Sequence, residues 1–275
     1  MITVICLGSK ACDLGEIFEN SKEYIVKLID KEIEGDNCFS IKQQNTPEDY
    51  ELKTPDMREY FSDISDDVLF ITSGDSEVLS CSLKILQQIK HKKISIAYLR
   101  PTLDFLTIKG QMQDKLAFNV LQEYTRSGLF DNIYLFGDSS IEVLMSDTSI
   151  NEYDKKYYNL IYNSLTNYLK LDNVDCLINN ANRPSNISKI ITFGYYDVSS
   201  DIESLFYPIK YCDSKIYNFY INEESLNTDK ILHKKIKEKI KNKNVDTTKC
   251  SYTIRATTAE QNFCYVVAYS KLIQE

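Results

Sequence analysis

Val68-Leu69-Phe70-Ile71-Thr72-Ser73-Gly74-Asp75-Ser76-Glu77-Val78-Leu79-Ser80-Cys81-Ser82-Leu83-Lys84-Ile85-Leu86 reads as strand, tight polar turn, helix. Val68 to Ile71 form a short apolar run of strong β-formers, as a strand buried on both faces requires. Ser73 to Ser76 supply a turn with one glycine. Leu79, Leu83 and Leu86 then recur at helical spacing. In α/β folds ligands sit at this kind of junction, because the new helix presents unpaired backbone N–H groups and the positive end of its dipole. An ordinary strand-to-helix connection would look the same.

The flanking sequence repeats the pattern. Upstream, Thr3 to Leu7 is an apolar opening strand. Gly8 follows, with Ser9 to Asp13 continuing the turn and a helix through Ile17 and Phe18. Tyr24 to Ile29 is a second strand ending at Asp30, which reads as the start of a solvated turn, since no GxGxxG precedes it. Residues 35–55 are polar loop with room for one edge strand, and Asp56 can cap a short helix through Phe61. Downstream, the basic run Lys90 to Lys93 suits a helix C-terminus. Ile94 to Leu99 is a strand stopped by Arg100-Pro101. A long helix from Ile108 to Ser127 carries the stripe Leu116, Val120, Leu121 and Tyr124, with Gly128 as its C′ residue. Asn132 to Phe136 is a further strand, with Gly137-Asp138-Ser139-Ser140 as its exit turn. Strands alternating with helices imply a largely parallel sheet with right-handed crossovers.

The pattern changes at Ser149. Ile150 to Leu171 reads as one long helix, apolar on several faces and therefore buried between layers. Beyond it lie strand candidates Lys189–Tyr196, Leu205–Tyr207 and Ile216–Ile221. A basic helix, Thr228–Lys243, follows with the stripe Ile231, Ile236 and Ile240. Two closing strands, Ser251–Ala256 and Phe263–Tyr269, end the chain. The expected organisation is an α/β domain over 1–148, a central helix over 149–172 and a smaller α+β domain over 173–275.

Composition bounds the function. The 275 residues are 43% hydrophobic and 26% charged, ordinary for a globular chain with a real core. A net charge of −8 argues against general nucleic-acid binding. No apolar run approaches the ~20 residues that span a membrane, and no signal pattern opens the chain, so a cytoplasmic protein is expected. Eight cysteines without a CxxC pair, and two histidines, suggest free thiols in a reducing compartment and no metal site.

The element order and several motifs resemble the tubulin/FtsZ superfamily, especially its short phage-encoded members. Leu99-Arg100-Pro101 looks like the family's strand ending Thr-Lys-Pro. Leu116-Ala117-Phe118 is similar to Met-Ala-Phe of FtsZ. A Gly-Asp turn precedes the long helix, and Asn173-Val174-Asp175 looks like the start of the family's Asn-x-Asp-x-x-acid loop.

The resemblance implies a GTP- or GDP-binding protein, with Mg2+, that self-associates head to tail into filaments in the cytoplasm (the host cytoplasm if phage-encoded). Phosphates would face Gly8, Ser9 and Cys12 in the first loop and Ser73, Gly74, Asp75 and Ser76 in the second. Lys115 would meet sugar or phosphate, and Tyr153 would either stack on the base or serve as core. Asn173 and Asp175 would act on the neighbouring subunit's nucleotide, unless Asp172 to Asp175 merely close the helix. The sequence departs from the family pattern at three places. Each phosphate loop keeps one glycine, and the second carries two acids, which repel phosphate unless a metal intervenes. The family's asparagine one turn after the stacking aromatic falls on Tyr157. The loop's third position, an acid in the family, is Ile178. These departures imply a GTPase that is weak or lost. The alternative is a degenerate member that binds no nucleotide and serves as a structural or interaction protein, for instance in phage assembly or in binding a host factor.

Overall fold

A computed structural model describes residues 1–171, 175–182, 184–245 and 247–275. The chain opens with β1 (Ile2–Leu7), α1 (Ser9–Asn20), β2 (Tyr24–Asp30), β3 (Cys38–Ser40), α2 (Pro47–Leu52), β4 (Asp67–Ser73) and α3 (Ser82–Gln88). It continues with β5 (Lys93–Arg100), α4 (Ile108–Ser127), β6 (Ile133–Gly137), α5 (Asp138–Leu144) and α6 (Ile150–Leu169). The C-terminal part holds β7 (Ile178–Asn179), β8 (Ile190–Asp197), β9 (Ile202–Leu205), β10 (Ser214–Asn222), α7 (Glu223–Thr228), α8 (Leu232–Lys243), β11 (Lys249–Thr257) and β12 (Phe263–Ser270).

Among the described residues, twelve strands form one sheet in the order β3-β2-β1-β4-β5-β6-β8-β12-β10-β11-β7, with β9 on β8. From β3 to β8 every neighbouring pair is parallel. β12 then pairs antiparallel with both β8 and β10, and β10 is parallel to β11. The last two strands are therefore not a hairpin, because β10 lies between them.

Alternation along the parallel strands makes two cores. Val4, Cys6, Leu69 and Ile71 face α1 and α6, while Ile5, Leu7, Val68 and Phe70 face α3 and α4. The α6-side core runs without a break from Phe18 to Tyr269 across both halves of the sheet. A third core under α8 gathers Ile236, Ile240, Phe219 and Ile254.

Several sequence expectations are corrected. α1 starts at Ser9, directly after Gly8, so most of the supposed turn is helical. The helix after the quoted turn starts only at Ser82; Leu79–Cys81 form a 3-10 turn first, since Val78, Leu79 and Cys81 are already packed into the core. Lys92 and Lys93 lie beyond the end of α3, where Lys92 pairs with Asp66 and Lys93 with Asp67 and Asp131. Residues after Asp56 form turns; its Oδ1 accepts from Arg58 N at 3.1 Å. Thr46-Pro47 opens α2, with Thr46 capping the Asp49 N–H at 3.1 Å.

The buried face of α4 is Asp114, Phe118, Leu121, Gln122 and Thr125; Leu116 is 68% exposed. The Gly137–Ser140 stretch enters α5, which the turn reading missed. α6 buries one face (Tyr157, Ile161, Ser164, Leu165, Thr166), and Ile150 is exposed. In the C-terminal half, β9 ends at Leu205, before Phe206-Tyr207. The basic helix expected from Thr228 starts only at Leu232, as α8; a separate short helix with acids in its first turn, α7, ends at Thr228, and Ile231 is left outside the buried stripe.

Candidate functional site

The C-terminal ends of β1, β4, β5 and β6 lie side by side, and the loops that leave them meet at one edge of the sheet. Gly8 ends the first. Its N–H donates to Ile29 O at 2.9 Å, and its φ of 93° is open to glycine at little cost. A Cβ on Gly8 would stand 2.0 Å from Ser76 Oγ, so the first and second loops touch. α1 begins on the next residue with no side-chain cap, which leaves the N–H groups of its first turn aimed at this edge.

The second loop is held from behind. Gly74 N donates to Leu99 O at 3.0 Å, and a Cβ there would lie 1.9 Å from Asp114 Oδ1 and 2.7 Å from Pro101 Cδ. The buried Ser73 hydroxyl sits between the Asp75 carboxylate and Leu99 O, and donates its one proton to one of them. Asp75 is exposed and Ser76 half-buried. Glu77 pairs with Lys31 at 2.7 Å, and that hydrogen bond raises the lysine's pKa.

Charge around the loops is mostly negative and partly neutralised. Lys10 reaches Asp138 Oδ2 at 2.5 Å, and the Tyr157 hydroxyl donates to Asp138 Oδ1 at 2.5 Å. The lysine also lies 4.9 Å from the centre of the Tyr157 ring. Burial, and then the Asp138 charge, push the Tyr157 phenol well above its ordinary pKa. Tyr158 donates to Asp13 Oδ2 at 2.9 Å. Beneath Gly74, Asp114 accepts from Tyr98 OH at 2.8 Å and pairs with Arg100 Nε at 3.4 Å. Burial raises the Asp114 pKa; Tyr98 and Arg100 oppose that, and the Asp75 charge adds to it. Arg100 itself lies 4.2 Å from the Phe118 ring centre and donates to Tyr207 OH at 2.6 Å.

The other predicted residues are placed as follows. Ser9 is exposed at the start of α1. Cys12 turns its thiol inward, toward Cys6 O and Ile29 O, and burial drives its pKa up to about 12, so only its backbone faces the edge. Tyr153 is half-buried and stacks on Tyr157, ring centres 6.4 Å apart and planes 16° off parallel. Lys115 is exposed on α4, and Arg100 is the cation packed behind the second loop. Asp175 is exposed beyond the far end of α6, and Asn173 lies outside the described residues. Ile178 begins β7 opposite Ile254 and packs into the core under α8.

Sequence reading missed Asp114, Tyr98 and the Lys10–Asp138–Tyr157 group. Each joins different elements, Tyr98 and Asp114 on β5 and α4, and Lys10, Asp138 and Tyr157 on α1, α5 and α6, and no local pattern marks them. The uncapped N–H groups of α1 suit a phosphate. Asp13, Asp75 and Asp138 would repel it unless a divalent cation stood between. Among the described residues, no three His, Cys, Asp or Glu side chains already form a metal cage.

No protein-family model matches this chain, and no curated protein matches it in sequence. Solved structures do resemble it. A GTPγS-form protofilament of Bacillus thuringiensis serovar israelensis TubZ superimposes with a TM-score of 0.75 at 11% identity, covering 99% of this chain and 87% of that one. The helical model of a TubZ-Bt four-stranded filament gives 0.68 at 12% identity, over 99% and 86%. An empty FtsZ dimer from M. jannaschii gives 0.61 at 11% identity, over 98% and 87%. The chain has the tubulin/FtsZ fold.

Proposed function

We propose that this chain binds GTP or GDP with Mg2+ at the β1 and β4 loops and assembles head to tail into filaments, with GTP hydrolysis weak or lost. One observation carries the reading: the contact of Gly8 with Ser76 beside the uncapped start of α1, at the C-terminal edge of a parallel sheet. The backbone N–H groups of Ser9 and Lys10 would hold phosphate, and Asp13 and Asp75 would share the cation. Tyr153 would offer its ring to the base.

Distance supports head-to-tail assembly. From Tyr157 to its last residue, Leu169, α6 rises about 18 Å, and Asp175 lies beyond that end. On this reading Asp175 would polarise water at the next subunit's nucleotide, being too far from the β1 and β4 loops of its own chain. Ile178, packed as core where the family has a second acid, supports slow turnover.

A second reading is favoured by the charge arrangement. Lys10 is already held by Asp138, and Asp13, Asp75 and Glu77 crowd the loops. On that reading the chain is a non-enzymatic scaffold of phage assembly, or binds a host factor. Fluorescent GTP titrated with Mg2+, followed by sedimentation and negative-stain microscopy, decides between them. Binding and GTP-dependent filaments are expected. Asp175→Ala should still bind nucleotide but lose assembly-stimulated hydrolysis, and equal turnover in the variant removes that role. No binding at millimolar nucleotide favours the scaffold.

A further inference from the structure

At the opposite edge of the sheet a cavity of about 640 Å³ opens between the N-terminal ends of β4 to β6, the last turn of α6 and the β10–β11 pair. Exposed Asp67, Asn179 and Asn186 mark its mouth. Its inner wall is built by strand alternation. Asn218 on β10 and Thr253 on β11 are register partners, and Thr253 donates to Asn218 Oδ1 at 2.8 Å. Two residues along β11 comes Arg255, also part of the lining.

Arg255 is the unusual feature. It is 4% exposed, and its Nη2 donates to Leu171 O, at the end of α6, at 3.2 Å. Its Nε and Nη1 have no hydrogen-bond partner among the described residues. A buried guanidinium without a countercharge is among the costliest groups a fold can retain. Water could satisfy its N–H groups but brings no negative charge. At the mouth a single cation, Lys93, lies 3.4 Å from Asp67 and 3.3 Å from Asp131, and neither carboxylate pairs with Arg255. The described lining is neutral overall, with two carboxylates and one cation at the mouth and the Arg255 cation at the inner wall in no ion pair.

We propose that this cavity binds a small organic anion whose carboxylate or phosphate group pairs with Arg255. The rest of the ligand would lie against Tyr134, Leu169 and Ile216, with the Asn218 and Asn179 amides in reach. The volume suits a molecule of a few hundred daltons. This site is separate from the β1 and β4 loops and does not depend on nucleotide binding.

The test uses the whole chain without nucleotide. Thermal melts are run with phenylacetate, phenyl phosphate, neutral phenylacetamide and inorganic phosphate, and native mass spectrometry is run on the protein as purified. A probe at a hundredfold excess over its Kd should raise the melting temperature by about 5 °C or more. Whichever of the two aromatic anions does so identifies the head group. The shift should vanish in Arg255→Met. Should that variant not fold, Arg255→Lys, which keeps the charge but not the planar fork, should lose at least half of it. The proposal is overturned if neither anion shifts the wild type and no anion is carried by the purified protein. It is also overturned if phenylacetamide or bare phosphate shifts the wild type as much, or if the shift survives in full in the Arg255 variants.

Discussion

Gly8 and Gly74 are where single residues decide the geometry of the loop edge. At Gly8 the backbone has a φ of 93° and the space for a Cβ is taken by Ser76 Oγ. Gly8→Ala therefore suffers twice, from a left-handed backbone and from a clash between loops. It should lower stability by about 2 to 4 kcal/mol, read as a lower urea midpoint with unchanged slope. A midpoint within error of wild type would show that the loops can part freely. Both glycines are legible in the sequence as turn residues after apolar runs. Asp114 is not: in its own helix it reads as a solvated acid. Only the approach of Tyr98, Arg100 and Gly74 from other segments explains why it is buried. A local reading cannot find a charge whose partners come from across the fold.

Among elements, α4 separates pattern from packing most clearly. The stripe expected from spacing, Leu116, Val120, Leu121 and Tyr124, shares only Leu121 with the second stripe, the buried Asp114, Phe118, Leu121 and Thr125. Both satisfy the 3.6-residue period. The sheet takes the second because Phe118 fits against Tyr98 and Tyr207 and under the Arg100 guanidinium. Phe118→Ala should cost about 3 to 5 kcal/mol, whereas Leu116→Ser should stay within about 0.5 kcal/mol. Chemical denaturation of the two variants checks the contrast, and comparable losses would mean that the outer stripe is also core. The helix bounds themselves, Ile108 to Ser127 with Gly128 left-handed after them, match the sequence expectation, since caps and glycines act locally.

At the scale of the molecule, strands on both sides of the proposed division at 1–148, 149–172 and 173–275 share one sheet. β6 pairs with β8 from Ile133↔Ile190 onward, and the α6-side core crosses the junction. The chain should therefore unfold in one cooperative step. Far-UV dichroism and the fluorescence of its 20 tyrosines, which lie in both halves, should give coincident urea transitions. Two separated transitions would show that the halves are independent folding units. The sequence by itself determined the alternation of strands and helices, the long α6 and the two loops that follow Leu7 and Ser73, because period, turn chemistry and glycine act over a few residues. It did not determine that β10 separates β11 from β12, that Asp138 takes both Lys10 and Tyr157, or that Arg255 lines a cavity with two of its nitrogens unbonded among the described residues. Those follow from hydrogen bonds and burial between segments tens to hundreds of residues apart, and only the folded sheet brings such segments together.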